Sequence, residues 1–340
     1  MRFGVYLNGQ TSLNDDMESG LQDLLWMFGM ARDGGWDSAW LGHHYLPGLV
    51  GQLQPVPVLA RLAADLGEMR LGTGIHLLPL QNPVAAAEDI ATIDLITGGQ
   101  FVYGVGAGYR QVEFEAFAVD PDHRVDRFER NLDIILRLWA GERVTVDLPW
   151  CRLDDAQLTI RCAQRPRPPV WVAATDDAGV DRASRLGDAW LVGPHVRTST
   201  IVRQLKRFDD GWDAAGRSGR PEVPIIREAF CALPGDPSMN LAKAALYTKY
   251  AQYTAWGQGD ALPSDEILGE DLEKLAKDRF ILGSPDECIE KLLELQEATG
   301  ATELLLRTSW SGMSPELGRK SLDLLTTQVL PAVNSEYSSD

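Results

Sequence analysis

The chain has 340 residues, 44% hydrophobic and 24% charged, with 32 Gly and 19 Pro, a composition that rules out disordered, collagenous and disulfide-scaffold proteins. Its 32 basic and 49 acidic residues leave a net charge of −17, which repels phosphate backbones and anionic lipid. Nucleic acid and membrane surfaces are therefore poor partners, and any anionic ligand has to be held locally by backbone amides, a helix N-terminus or a few placed arginines.

Short apolar runs rich in β-formers alternate along the chain with stretches carrying apolar residues at i, i+3, i+4 and i+7. In order, strand 2–7 precedes helix 21–33, strand 38–41 helix 57–66, strand 70–77 helix 84–96, and strand 101–105 helix 125–139. The second half repeats the pattern with strand 170–173 and helix 177–185, 188–192 and 198–215, 225–232 and 285–298, and 302–307 and 315–329. Strict alternation implies parallel strands with crossover helices. Eight such units are the number of a (β/α)8 TIM barrel, whereas a doubly wound sheet usually stops at five or six. Gly98-Gly99, Pro168-Pro169 and Gly300 punctuate the expected boundaries. The expected organisation is thus a single barrel domain over 1–340. Two segments interrupt it: a hairpin-like excursion at 142–165 and a partly helical insertion at 234–282, placed to act as a lid.

In such a barrel the working face is the carboxyl end of the strands. The residues there include Asn8, His43-His44-Tyr45, Gly74-Ile75-His76, the run Gly106-Ala107-Gly108-Tyr109-Arg110, Ala174-Thr175-Asp176, and Arg307 through Trp310. Gly104 to Gly108 (GVGAG) lacks the third glycine of a dinucleotide fingerprint, so it suits either close backbone approach to a planar cofactor or a plain turn. Ala173 to Gly179 leads from a strand into a helix, where exposed N–H groups can bind phosphate, and Asp176 or Asp177 can equally be an N-cap.

No metal site is expected, because the histidines form no H-x-H pair and the four cysteines (151, 162, 231 and 288) form no C-x-x-C. Unpaired cysteines fit a reducing cytoplasm. Residues 1–10 read as a strand rather than a leader, and no apolar run is long enough for a membrane span. Trp26, Trp36, Trp40 and Trp139 fall at packing positions.

Several segments together resemble the bacterial luciferase-like, flavin-dependent monooxygenase family: GWDSAWLGHHY, RLGTGIHLLPLQNPVAAAEDIATIDLITGGQF, YGVGAGYRQVEFEAFAV, PPVWVAA, RASRLGDAW and LGSPDECIEKLLELQEATGATELLLRTSWSGM. The resemblance runs nearly end to end and is weakest over 142–165 and 234–275. It implies a barrel, usually dimeric, that holds reduced FMN (FMNH2) or a deazaflavin with the ring at the barrel mouth. In the two-component form a separate flavin reductase supplies reduced FMN. Oxygen (O2) then gives a flavin C4a-peroxide, which oxygenates a mostly apolar small-molecule organic substrate beneath the 234–282 insertion. The same barrel also serves deazaflavin-dependent hydride transfer, or a non-catalytic flavin-binding partner subunit.

Residue by residue, the resemblance puts catalytic roles on His43 and its neighbour His44, and a non-prolyl cis peptide behind the flavin ring at Gly74-Ile75. It puts further cofactor contacts on Gly106, Ala107, Gly108, Tyr109 and Arg110, and phosphate contacts on Ala173, Ala174 and Thr175. Tyr45, His76, Leu78 and Trp310 would line the substrate pocket, and the helices after the second and third strands would bury a homodimer interface. Two positions depart from the family pattern. Gly42 stands where an acid often precedes the histidine pair, and Ala107 stands where luciferase has a phosphate-binding arginine, so the resemblance implies either that Arg110, Thr175 and backbone amides hold the phosphate instead, or that the flavin is bound weakly, as suits a protein that receives it reduced from a separate reductase.

Overall fold

A computed structural model describes residues 1–269 and 271–337. Eight parallel strands close into a barrel: β1 (Arg2–Leu7), β2 (Ser38–Leu41), β3 (Arg70–Thr73), β4 (Phe101–Gly106), β5 (Val170–Ala174), β6 (Ala189–Val192), β7 (Pro224–Cys231) and β8 (Glu303–Arg307). Closure is by β1 against β8, with Arg2 opposite Glu303. The crossover helices are α1 (Met17–Asp33), α2 (Pro55–Ala63), α3 (Pro83–Ile96), α4 (Arg124–Ala140), α5 (Asp177–Leu186), α6 (Thr198–Ala214), α8 (Pro285–Thr299) and α9 (Pro315–Leu324). A long additional helix, α7 (Ser238–Ala255), follows β7.

Local chemistry sets these boundaries. Asn82 caps α3 and Pro83 fills its first turn, where no amide partner is needed. Ser284 and Glu287 form a capping box on α8, which ends at left-handed Gly300. α4 carries Phe128, Leu132, Ile135 and Leu138 on the face it buries, at about 1.5–3 kcal/mol for each fully buried side chain.

The predicted strand 70–77 is broken in the structure. Its ladder stops at Thr73, the Gly74-Ile75 peptide is cis, and pairing to β4 resumes at His76–Leu77. The excursion at 142–165 contains an antiparallel hairpin, Val144–Leu148 with Cys151–Ala156. The 234–282 insertion holds α7, a 3-10 turn at Gln258–Ala261 and a helix at Leu272–Ala276. It runs into a strand, Ile281–Gly283, that pairs with β7. Sequence patterning misses four short elements: the antiparallel strands Gln10–Ser12 and Val50–Gln52, the helix Gln111–Ala116, and the terminal helix Leu330–Tyr337.

Strand alternation sorts side chains into two layers. Between barrel and helices lies the main apolar core. Inside the barrel, Trp40, Val102, Trp171, Ala189, Leu191, Ile226 and Leu305 pack together, with Trp40 and Trp171 stacked at 4.7 Å. Beneath them, buried Glu303 pairs with Arg2 at 3.2 Å and with Arg70, and accepts a hydrogen bond from Ser38. The amino end of the barrel is thereby plugged.

The bulk of Trp40 is accommodated by Gly72, where a Cβ would overlap the indole. On β4, a Cβ at Gly104 would overlap the Thr73 carbonyl oxygen, a backbone atom that cannot step aside. Gly104→Ala is expected to lose about 1–3 kcal/mol from strand displacement. Gly29→Ala, in α1 with open space around it, should gain about 0.5–1 kcal/mol. Denaturation midpoints moving in opposite directions would confirm the pair, and an unshifted Gly104→Ala would contradict the packing described.

Candidate active site

Continuing the inward alternation to the carboxyl ends of the strands places Tyr6, Gly42, Gly74, Gly106, Ala173, Leu191, Ile226 and Arg307 around one cavity of about 280 Å³. Its two sides differ. The wall from β2 through β5 presents glycine and alanine, so backbone and the Ile75 side chain form the surface. The wall from β7, β8 and β1 presents Ile226, Arg307 and Tyr6. Tyr6 joins the two by donating its hydroxyl hydrogen to the Gly74 carbonyl, with the Arg307 guanidinium 4.0 Å above its ring.

Most of the anticipated cofactor residues meet here. His43, His44, Gly74, Ile75, Gly106, Ala107, Gly108, Tyr109, Ala173, Ala174 and Thr175 all line the cavity. Gly108 has φ +74°, which glycine adopts freely and which turns the chain along the wall.

Five anticipated residues lie elsewhere. Leu78 is fully buried in the core outside the barrel, and its carbonyl accepts from Asn131. Trp310 is buried beneath α7, donating to the Ala242 carbonyl at 3.2 Å. His76 lies behind His43, its ring 5.0 Å away and its Nδ1 3.0 Å from the Tyr103 hydroxyl. Tyr45 packs edge-on to His43 at 4.4 Å and against Phe117. Arg110 does not line the cavity. Its guanidinium donates to the Tyr45 carbonyl at 2.8 Å and to Glu113 at 3.1 Å, and lies 4.2 Å over Trp256.

Thr175 differs from expectation in a subtler way. Its hydroxyl hydrogen is already given to the Ala261 carbonyl of the insertion at 2.5 Å, so it has no donor left for a phosphate. Asp176 is the N-cap of α5, accepting from the Gly179 amide at 2.8 Å. Arg124 and Arg182 also line the cavity, Arg182 paired with Glu129 at 3.2 Å.

Sequence reading also misses Glu113, which supplies the carboxylate absent at Gly42. Its Oε1 lies 3.0 Å from His44 Nδ1 and accepts from the Tyr45 amide at 2.8 Å. Burial raises the pKa of Glu113, but His44, that amide and Arg110 outweigh it and hold the group ionised below its ordinary range. Glu228 and Lys249 are the other unforeseen charges: Lys249 lines the cavity, and Glu228 bonds it from behind. A charged residue inside the apolar strand IIREAFC was the available signal for Glu228, because an inward acid in a barrel strand needs a partner.

His43 is a neutral imidazole. Burial, then the neighbouring His44, lowers its pKa from the ordinary 6.5 to about 4. The Leu77 amide donates to Nδ1 at 3.3 Å, which assigns the ring hydrogen to Nε2. Burial, and then His43, lowers His76 further, to about 3. Unfolded imidazoles take protons near pH 6.5, so the unfolded chain binds more protons between about pH 6.5 and 4, and stability falls as pH drops through that window. The denaturant midpoint should decline from pH 7 to 4.5, less steeply in His76→Gln. A midpoint constant over that range would contradict the buried neutral rings.

Two polar atoms in the cavity residues are buried without a partner, the Tyr109 hydroxyl and His195 Nδ1. Such atoms in a native site mark where a ligand or water completes the bonding. Together with the bare glycine wall, they fit a flat, heteroatom-bearing cofactor. Among the described residues, no cluster of His, Cys, Asp and Glu could hold a metal ion.

A parallel eight-stranded barrel with a cleft at its carboxyl end is an architecture shared by many enzymes, and comparison with known proteins narrows it. A family model described as luciferase-like monooxygenase matches residues 1–303, and the chain belongs to that family of oxidoreductases. It is 28% identical over 341 residues to 4-hydroxyprotoasukamycin monooxygenase of Streptomyces nodosus subsp. asukaensis, covering 98% of this chain and 92% of that one. It is 24% identical over 350 residues to the oxygenase component of flavin-dependent trigonelline monooxygenase of Acinetobacter baylyi, covering 98% and 95%. Among solved structures, monooxygenase RslO1 from Streptomyces bottropensis superposes with a TM-score of 0.86 at 23% identity, covering 98% and 99%.

Proposed function

We propose that this protein is the oxygenase of a two-component flavin monooxygenase, which takes reduced FMN from a separate reductase and uses oxygen to oxygenate an organic substrate. The observation that carries the reading is the asymmetric cavity. A wall of backbone and glycine beside Gly74-Ile75 accepts a flat ring, and charged and polar groups face it from the other side. The relatives named as monooxygenases, one of them an oxygenase component, support the same reading.

Reduced FMN, when bound, supplies the electrons for oxygen activation. Gly106 to Tyr109, Gly74-Ile75 and Ala173-Ala174 would hold its ring, and the start of α5 with Arg124 and Arg182 its phosphate. The rest is the work of the chain itself. His43 offers a neutral N–H from Nε2. Glu113 fixes the orientation of His44 through the 3.0 Å contact. The insertion excludes water, since Gln258 and Ala261 line the cavity and Thr175 ties Ala261 to the β5 turn. The apolar part of a substrate would lie against Leu191 and Ile226. A homodimer through α2 and α3 completes the reading, and Leu95 and Ile96 at the end of α3 are about half exposed. No helix among the described residues is long and apolar enough to cross a membrane.

Titration with reduced FMN and with a reduced deazaflavin, each followed by oxygen uptake, tests the proposal. Binding of reduced FMN with oxygen consumed in proportion to it is expected. If the deazaflavin alone binds and no oxygen disappears, the protein is instead a hydride-transfer enzyme.

A further inference from the structure

The charged wall of the cavity is more elaborate than a flat cofactor requires. Lys249 reaches in from α7 and donates to Glu228 Oε1 at 2.6 Å, while Arg307, at the end of β8, donates to the same oxygen at 3.2 Å. All three are buried, and both cations line the cavity. Two cations share one carboxylate oxygen, and Glu228 Oε2 has no partner. With the lysine protonated, the cluster carries one positive charge more than it neutralises, in a place where uncompensated charge is costly. His195 adds a second unpaired atom, Nδ1, on the same cavity. A purely structural ion pair would need neither the second cation nor exposure of both to the cavity.

Position around the barrel separates this cluster from the glycine wall. Strands run in ring order β8, β1, β2, β3, β4, β5, β6, β7, so β7, β8 and β1 face β3, β4 and β5 across the mouth. We propose that Lys249 and Arg307 form a recognition site for a carboxylate on the organic substrate, with Glu228 as their shared counter-ion. Calling that ligand the substrate rests on the assignment of the glycine wall to the flavin. The chain's net charge of −17 repels an anionic substrate at long range, which makes a local pair of cations the means of holding one.

The cluster also predicts a proton linkage. Lys249 is faced by Glu228 from β7, Arg307 from β8, His195 from the segment after β6, and Tyr250 and Tyr253 from its own helix, and Tyr6 from β1 faces Arg307. Burial, then Arg307, lowers its pKa to about 7 against the opposing pull of Glu228. A bound carboxylate favours the protonated form, so binding above pH 7 takes up a proton.

The test uses the full chain at pH 8 and isothermal calorimetry in HEPES and in Tris, with and without reduced FMN. The probes are acetate and benzoate against the neutral acetamide and benzamide. We expect at least one carboxylate to bind about tenfold or more tightly than its amide, with proton uptake approaching one per site and without displacing reduced FMN. Lys249→Met should abolish the uptake and the preference while leaving reduced FMN affinity unchanged, and its thermal midpoint reports whether it folds. The wild-type carboxylate–amide comparison stands whether or not that variant folds. Equal binding of acid and amide, no binding of either acid, or competition between the acid and reduced FMN would each overturn the inference. Reduced FMN binding without carboxylate preference removes this inference alone. Carboxylate binding with proton uptake in a protein that ignores reduced FMN keeps the site and removes the flavin assignment.

Discussion

Replacing His43 by alanine is expected to lower turnover by about 10²- to 10³-fold, the usual effect of losing one hydrogen-bond donor aimed at developing charge, with reduced FMN affinity little changed. The choice between proton transfer and hydrogen bonding follows from magnitudes. With its pKa held at about 4, His43 at pH 7 is about three units from protonation, so making an imidazolium there costs about 4 kcal/mol. Donation from a neutral Nε2–H carries no such cost. The rate should therefore show no inflection from this residue between pH 5.5 and 9, and His43→Gln, which keeps an N–H donor, should recover part of the loss. An unchanged rate in His43→Ala would remove the residue from the chemistry. An acid limb near pH 6.5 that disappears in the variant would show that it titrates as an exposed imidazole.

Gly106→Val should weaken binding of reduced FMN by about tenfold to a hundredfold, equivalent to the roughly 1–3 kcal/mol of overpacking at a close-packed position. Any Cβ at Gly106 overlaps the Ile75 side chain, and both residues form the wall assigned to the ring. Ile75 itself lines the cavity, so a shift of its side chain changes the shape of that wall. Fluorescence or calorimetric titration under anaerobic conditions measures the effect, and circular dichroism checks that the barrel survives. Wild-type affinity in a folded Gly106→Val protein would separate this wall from the cofactor.

The barrel was legible because its signal is periodic. Each strand and helix had its own run of apolar residues, and glycines and prolines fell between them. The break in the strand at 70–77 was not readable from periodicity, since RLGTGIHL continues the apolar pattern across Gly74-Ile75. Only the family resemblance marked that peptide. Gly106 and Ala173 line the cavity because strand alternation turns these positions inward, and Gly108 joins them from the turn that follows β4.

Side chains with long reach were harder to place. Arg110 sits at the expected end of β4, yet the nearest strong acceptors, Glu113 and the Tyr45 carbonyl, draw it away from the cavity. Leu78 and Trp310 follow their strands in sequence but turn outward into the core. Glu113 lies within the family-like segment 103–119 but carries no signal of its own, and Lys249 lies in no such segment, because each acts from a helix outside the eight repeats and meets its partners only once the chain has folded. Within the charged wall, Arg307 was readable from its place at the end of β8, whereas its pairing with Lys249 through Glu228 was not.

The measurement that bears most directly on the central claim is a crystal structure of the protein soaked with FMN. The isoalloxazine ring should lie against Gly74-Ile75 and Gly106, with the phosphate at the start of α5 near Arg124 and Arg182, and Lys249 and Arg307 facing the ring across open space. A cavity that stays free of FMN at saturating concentration, or a ring bound away from the glycine wall, would contradict the account.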